Sequence, residues 1–214
     1  MKIVAVVPAY NESQTIGEVV RVLRSVSDLA EVIVIDDGSE DATAERARQA
    51  GARVISQANG GKGVAMRVGV EATDAEIIFF ADGDLMGFRP NHVQSLLDPV
   101  VSGKAVMTVG LRDRGRVLTW LLPHMAPVLG GERAIKREIF MALAGSATHD
   151  FGIETVMNAY CKDHDLPVQY IPQRGLTQVI KERKYGFFKG FWARLKMVGQ
   201  ILRAESQTGR SKEE

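Results

Sequence analysis

The sequence predicts an α/β fold, a mostly parallel sheet flanked by helices on both faces. Three observations carry this expectation. Short runs of apolar residues rich in β-branched side chains recur along the first half, amphipathic stretches separate them, and a polar cluster follows run after run. Runs that are apolar throughout, without alternation, suit strands buried on both sides, as in parallel sheets covered by helices.

The elements follow in order. Ile3–Val7 is the first strand, and Thr15–Ser25 then places Ile16, Val19, Val20 and Leu23 at helical spacing. Val32–Ile35 is the second strand, followed by a charged, alanine-rich helix over Ala42–Ala50. Arg53–Ile55 and Gly63–Ala72 form the third pair, Ile77–Phe80 and His92–Val101 the fourth, and Ala105–Val109 is the fifth strand. Such alternation makes a Rossmann-like sheet. The second half is less regular. Glu132–Leu143 and Ile153–Cys161 read as helices, Val168–Ile171 and Leu176–Ile180 as short strands, and Gly186–Arg203 as a long C-terminal basic amphipathic helix. No repeat or low-complexity linker interrupts the chain, so one domain is expected over residues 1–205, with a flexible polar tail at 206–214.

Composition narrows the function classes. Of 214 residues, 45% are hydrophobic and 25% charged, which argues against disorder or fibre. Cys161 is the one cysteine, which excludes an intramolecular disulfide and a cysteine-based zinc site and makes the cytoplasm the default compartment. A formal charge of +1 gives no chain-wide attraction for nucleic acid. No run reaches the ~18 apolar residues of a membrane span. The apolar start is halted by Pro8 and reads as a buried strand, not a signal-peptide core. Val117–Leu129 contains two prolines and His124, so it could touch a membrane without crossing one.

In an open parallel sheet, ligands bind beyond the carboxyl ends of the strands. The residues there are Pro8-Ala9-Tyr10-Asn11-Glu12, Asp36-Asp37-Gly38-Ser39, Asn59-Gly60-Gly61-Lys62-Gly63 and Asp82-Gly83-Asp84. Asp82 and Asp84 stand two apart on a surface turn and can lean toward one hard cation, as Mg²⁺ sits between one or two carboxylates and substrate phosphates; a solvated acidic turn is the plainer reading. An EF-hand is rejected because Met86 and Val93 stand where oxygen ligands are needed. The Asn59–Gly63 turn could approach a base, ribose or phosphate, or simply lead into a helix. It lacks the Ser or Thr of a Walker A loop. Asp36–Asp41 supplies an N-cap from Ser39 or Asp41, and one of the paired aspartates can face a ligand.

Taken in this order and spacing, the four motifs resemble the GT-A-fold glycosyltransferases of family 2, the group containing dolichol-phosphate mannosyltransferase. Gly130-Gly131-Glu132-Arg133-Ala134 and Phe151-Gly152-Ile153-Glu154 resemble the acceptor-side segments of glucosyl-3-phosphoglycerate synthase. The resemblance implies a GT-A fold, with residues 1–110 binding nucleotide-sugar and 111–180 binding acceptor. It implies a UDP- or GDP-sugar donor, Mg²⁺ or Mn²⁺, and an acceptor that is a small hydroxyl compound or a lipid phosphate. Pro8, Ala9, Tyr10 and Glu12 would line the nucleoside site, with Asp37 on the base supported by Lys62. Asp82, Gly83 and Asp84 would serve ribose and metal. Gly131, Glu132, Arg133, Lys181, Arg183 and Lys184 would serve acceptor and diphosphate. Glu154, with Asp150 second, would be the catalytic base. The late loop Gly175–Arg183 lacks the histidine that gives those relatives a further metal ligand.

Phe188, Phe191, Trp192, Leu195, Val198 and Leu202 recur three or four apart among Lys189, Arg194, Lys196 and Arg203. This face suits a membrane interface, which would place the protein peripherally at the inner face of the membrane. It equally suits packing on its own domain or on a second subunit of a homodimer. Two rival functions remain. One is a non-catalytic nucleotide-binding or membrane-associated scaffold of the same fold, disfavoured by the intact carboxylates. The other is a nucleotidyltransferase, disfavoured because the first strand is followed by no glycine-rich basic loop.

Overall fold

The computed structural model describes residues 1–112, 131–143 and 152–178. The chain divides into two compact units, Met1–Thr177 and Gln178–Glu214, and the described residues fall almost wholly in the first. The expected basic helix at 186–203 and the tail at 206–214 lie outside the described residues.

The elements run β1 (Ile3–Ala9), α1 (Ile16–Arg24), β2 (Glu31–Asp36), α2 (Thr43–Gln49), β3 (Arg53–Ser56), α3 (Lys62–Glu71), β4 (Ile77–Phe80), β5 (Leu85–Met86) and α4 (Pro90–Val101). They continue with β6 (Met107–Arg112), β7 (Arg133–Lys136), α5 (Arg137–Ala142), α6 (Ile153–Asp163), β8 (Val168–Gln173) and β9 (Thr177–Gln178). Seven strands form one sheet in the order β3-β2-β1-β4-β7-β6-β8. All neighbours are parallel except β7, which runs against both β4 and β6.

Strand β7 corrects the sequence reading. Glu132–Leu143 reads as one helix, but residues 133–136 are a strand and the helix starts at Arg137. Ala134 is buried in the core on one face of the sheet and Ile135 in the core on the other. Burial on two faces, with hydrogen bonds to strands on both sides, overrides the local helix preference of Ala, Arg and Lys. The first strand is also longer than expected: Pro8 pairs with Ile35 and Ala9 with Asp36, so both lie in β1 itself and are buried.

Alternate side chains of each strand feed two cores. Ala5, Val7, Val34 and Phe79 pack with Ile16, Val19, Val20 and Leu23 of α1 and with Val93, Leu96, Leu97 and Val100 of α4. Val4, Val6, Ile33, Ile78 and Phe80 pack with Ala65, Met66 and Val70 of α3 and with Ile153, Met157 and Cys161 of α6. Each large aliphatic side chain buried this way contributes ~1.5–3 kcal/mol of transfer free energy. The chain moves outward from β1 through β2 to β3, then returns to β4 on the other side of β1. The crevice beyond the carboxyl ends of β1 and β4 is therefore the topological switch point, where such sheets bind ligands.

Candidate active site

Loops at the carboxyl ends of the parallel strands are stitched into one surface. After β1, Asn11 adopts φ 53°, and its backbone N–H donates to Ser39 Oγ at 3.0 Å. Glu12 N–H donates to Thr43 Oγ1 at 2.7 Å, and Ser13 N–H to Asp41 Oδ2 at 3.2 Å. Ser39 and Asp41 therefore tie the second loop to the first, a longer reach than the helix cap expected of them. Thr15 Oγ1 donates to the carbonyl of Gly83 at 2.7 Å, which joins the first loop to the Asp82–Asp84 turn.

Asp37 binds protein before any ligand. Its Oδ1 accepts from Gln57 Nε2 at 2.7 Å and Gly60 N–H at 2.8 Å, and its Oδ2 accepts from Gly61 N–H at 2.9 Å. An ionised carboxylate offers about four acceptor sites. Three are used to hold the glycine turn, leaving room for one bond to a ligand. That turn delivers Lys62 as the first residue of α3.

Charge is concentrated around Asp82. Lys62 Nζ donates to Asp82 Oδ1 at 2.6 Å and to Glu154 Oε1 at 2.5 Å. Arg112 Nη2 donates to Asp82 Oδ2 at 2.6 Å, and Arg112 Nε to Glu132 Oε2 at 2.7 Å; a second Arg112–Glu132 contact makes that pair bidentate. Glu132, Arg112, Asp82, Lys62 and Glu154 thus form a chain of alternating sign. Arg133 lies beneath it, fully buried, with Nη1 at 3.4 Å from both the Glu154 carbonyl and Asn158 Oδ1.

The pairing sets the protonation states. Burial alone would push Asp82 up, but Lys62 and Arg112 outweigh it and hold the carboxyl well below its ordinary range. Burial likewise opposes ionised Glu154, and Lys62 with Arg133 reverses that and lowers its pKa. Burial disfavours the Lys62 charge, yet the two carboxylates raise its pKa. For Glu132, burial dominates and its pKa rises despite Arg112. Burial lowers the pKa of Arg133.

A side chain at either of two glycines would press on a carboxylate. A Cβ on Gly131 would lie 2.3 Å from Asp82 Oδ2, and one on Gly83 would lie 2.1 Å from Glu12 Oε2. The acidic turn thus meets Glu12 through Gly83 and the segment before β7 through Gly131. Asp84, expected on a surface turn, is only 8% exposed. The turn folds inward between the first loop and the Gly131 segment.

The structure thus brings together Glu12, Lys62, Asp82, Gly83, Gly131, Glu132 and Glu154, with Asp37 holding the turn before Lys62. Pro8 and Ala9 are buried in β1, and Tyr10 is half-buried at its end. Glu132 and Arg133 are both wholly buried, so neither presents a charge to solvent as expected of residues serving an acceptor. Asp150, Lys181, Arg183 and Lys184 lie outside the described residues. Sequence reasoning missed Arg112. Ending the fifth strand at Val109 left Arg112 unread, although it closes β6 at the same carboxyl edge. Asp82 and Asp84 form a hard oxygen donor set on one tight turn. Among the described residues no group of three His, Cys, Asp or Glu side chains could enclose a metal. Two carboxylates so spaced are oxygen donors of the kind that Mg²⁺ or Mn²⁺ takes together with phosphate oxygens and water.

A family model for glycosyl transferase family 2 matches residues 4–153. Glycosyltransferase AglJ of Haloferax volcanii is 34% identical over 185 residues, covering 77% of this chain and 60% of that protein. Glucosyl-3-phosphoglycerate synthase of Mycolicibacterium paratuberculosis is 32% identical over 176 residues, covering 64% of this chain and 54% of that protein. The chain therefore spans less than two thirds of the length of these relatives. Among solved structures, glucosyl-3-phosphoglycerate synthase of Mycobacterium tuberculosis with Mn²⁺, UDP-glucose and phosphoglyceric acid superposes with a TM-score of 0.73 at 25% identity, covering 93% of this chain and 79% of that one. These neighbours share the GT-A fold.

Proposed function

From a chain that belongs to glycosyl transferase family 2, we propose a metal-dependent hexosyltransferase that moves a sugar from a nucleoside diphosphate sugar to an acceptor hydroxyl. One observation carries the reading: a single ammonium, Lys62 Nζ, touches both the donor-side carboxylate Asp82 and the acceptor-side carboxylate Glu154. This nearness of Glu154 to Asp82 supports reading Glu154 as the base. UDP is the nucleotide assigned over GDP, supported by the UDP-glucose bound in the mycobacterial synthase.

In the reaction so assigned, the acceptor oxygen forms a bond to the anomeric carbon as the bond from that carbon to the diphosphate oxygen breaks. UDP departs with the bonding electron pair, and the acceptor proton passes to Glu154 Oε1. Asp84 and Asp82 would hold Mg²⁺ or Mn²⁺, which supplies Lewis-acid neutralisation of charge on the diphosphate. Asp37 and the Gly60–Gly61 turn seat the nucleoside. Arg112 holds Asp82 in place from the side opposite Lys62. A hydroxyl acceptor is favoured over a lipid phosphate, because a phosphate is already ionised and needs no base. The aromatic, basic sequence at 186–203 is the segment through which a peripheral membrane contact at the cytoplasmic face, or a second subunit, would form. Among the described residues no helix is long and apolar enough to cross a membrane.

The test is turnover of a panel of UDP- and GDP-hexoses with Mn²⁺ and with chelator, using phosphoglycerate and small polyols as acceptors. Activity should require UDP-sugar and metal, and Glu154→Gln should lower turnover by ~10²–10⁴-fold, the usual contribution of a general base. Full turnover in Glu154→Gln would move the assignment to a phosphate acceptor, or to a retaining route in which the leaving phosphate takes the proton.

A further inference from the structure

We propose that Lys62 is a shared counter-ion that withholds Glu154 until donor binds, so that the base becomes available only in the donor-loaded protein. This deepens the reading above and rests on it. Lys62 is joined to carboxylates on two elements far apart in sequence, Asp82 after β4 and Glu154 in the first turn of α6. Its side chain is 39% exposed, against 18% for each carboxylate, so Lys62 is the most solvent-exposed member of the trio. It opens α3, at the end where the helix dipole repels a cation. The two carboxylates are what hold it.

Donor binding removes one of those holds. Asp82 is doubly paired, through Oδ1 to Lys62 and through Oδ2 to Arg112. A ribose hydroxyl or a divalent cation that takes Asp82 competes directly with Lys62 for Oδ1. The incoming diphosphate brings negative charge to the same place, and the ammonium transfers to it. Glu154 then loses its charge-assisted bond at 2.5 Å. Its main chain stays anchored, because its backbone carbonyl is still held by Arg133 from below. A carboxylate released from an ammonium in a largely buried site is a stronger proton acceptor than one still paired. The consequence is an ordered reaction, donor before acceptor, with no competent base in the empty protein.

The experiment is a binding cycle that needs no acceptor. Affinity for UDP with Mn²⁺ is measured by calorimetry on the wild type, Glu154→Gln, Lys62→Met and the double variant, each on the full chain. If Glu154 competes for Lys62, Glu154→Gln should bind UDP about twofold to fivefold more tightly, the worth of a partly exposed ion pair. Lys62→Met should bind more weakly, and adding Glu154→Gln to it should change nothing. Tightening that survives in the Lys62→Met background would mean simple repulsion between Glu154 and the diphosphate, and would overturn the proposal. Absence of tightening in Glu154→Gln would overturn it as well. Glu154→Asp serves where Glu154→Gln folds poorly: it shortens the arm while keeping the charge, and should also tighten UDP only when Lys62 is present. A wild type that binds neither UDP nor GDP overturns the donor reading itself and takes this inference with it. That outcome is distinct from normal binding with no gain.

Discussion

At the scale of single residues, the carboxylates at the strand ends serve the fold in different ways. Asp37 spends three acceptor positions on Gln57, Gly60 and Gly61. Asp37→Ala should therefore weaken UDP binding by ~1.5–3 kcal/mol, the worth of a hydrogen bond to a charged group. It should weaken GDP equally, because the loss acts through the turn that presents Lys62. Calorimetry with both nucleotides checks this, and a loss confined to one nucleotide would assign Asp37 to base selection instead. Asp84, proposed above as a metal ligand, is buried on its turn. Asp84→Asn keeps the shape of the buried group while removing its charge. The metal-dependent part of UDP affinity should vanish, and the metal-free part should remain. Titrations with and without Mn²⁺ separate the two, and an unchanged metal effect would take Asp84 out of the site.

At the scale of elements, helix α3 connects core and chemistry. Its first residue is Lys62, and its inner face packs on β1 and β2 through Ala65, Met66, Gly69 and Val70. A Cβ on Gly69 would lie 2.3 Å from Val6 Cγ1 and 3.3 Å from Ile35 Cγ1, both in buried strands with no room to yield. Overpacking of this kind costs ~1–3 kcal/mol, while replacing a helical glycine with alanine returns at most ~1 kcal/mol. Gly69→Ala should therefore be net destabilising, with a lower denaturant midpoint and weaker UDP binding as α3 is pushed off the sheet. An unchanged midpoint would show that α3 shifts without cost. Strand β7 plays the matching part on the acceptor side. Running antiparallel between β4 and β6, it places Glu132 and Arg133 at the carboxyl edge next to Asp82 and Arg112.

At the scale of the whole molecule, the charge network ties stability to pH. Asp82 and Glu154 have lower pKa values folded than free. Each therefore contributes stability that is complete above its ordinary pKa, about 4, and is lost as the pH falls through the folded value. Glu132 is raised by burial and runs the other way, gaining stability on protonation. With two groups against one, the thermal midpoint should fall between about pH 6 and about pH 3. Asp82→Asn, which removes one of the two, should start from a lower midpoint at pH 6 and fall less steeply. Scanning calorimetry at constant ionic strength measures both slopes, and parallel curves would remove Asp82 from the acid dependence.

The sequence by itself determined the alternating first half of the molecule and the loops that carry its chemistry. Unbroken apolar runs at Ile3–Val7 and Ile77–Phe80, and helical spacing within Thr15–Ser25, report burial directly, since they mark which faces of each element are covered. Polar residues at strand ends mark the expected binding edge, and Asp37, Lys62 and Asp82 stand there in the sequence; Glu154, in the first turn of α6, was readable only through the family resemblance. Tertiary structure decided the rest. Arg133–Lys136 is too short to show a period, and it becomes a strand only because β4 and β6 offer hydrogen bonds on both sides. Arg112 lies thirty residues from Asp82 and Glu154 lies ninety-two from Lys62, so no local pattern pairs them. Opposite charges find each other through space, and only the folded sheet sets that distance.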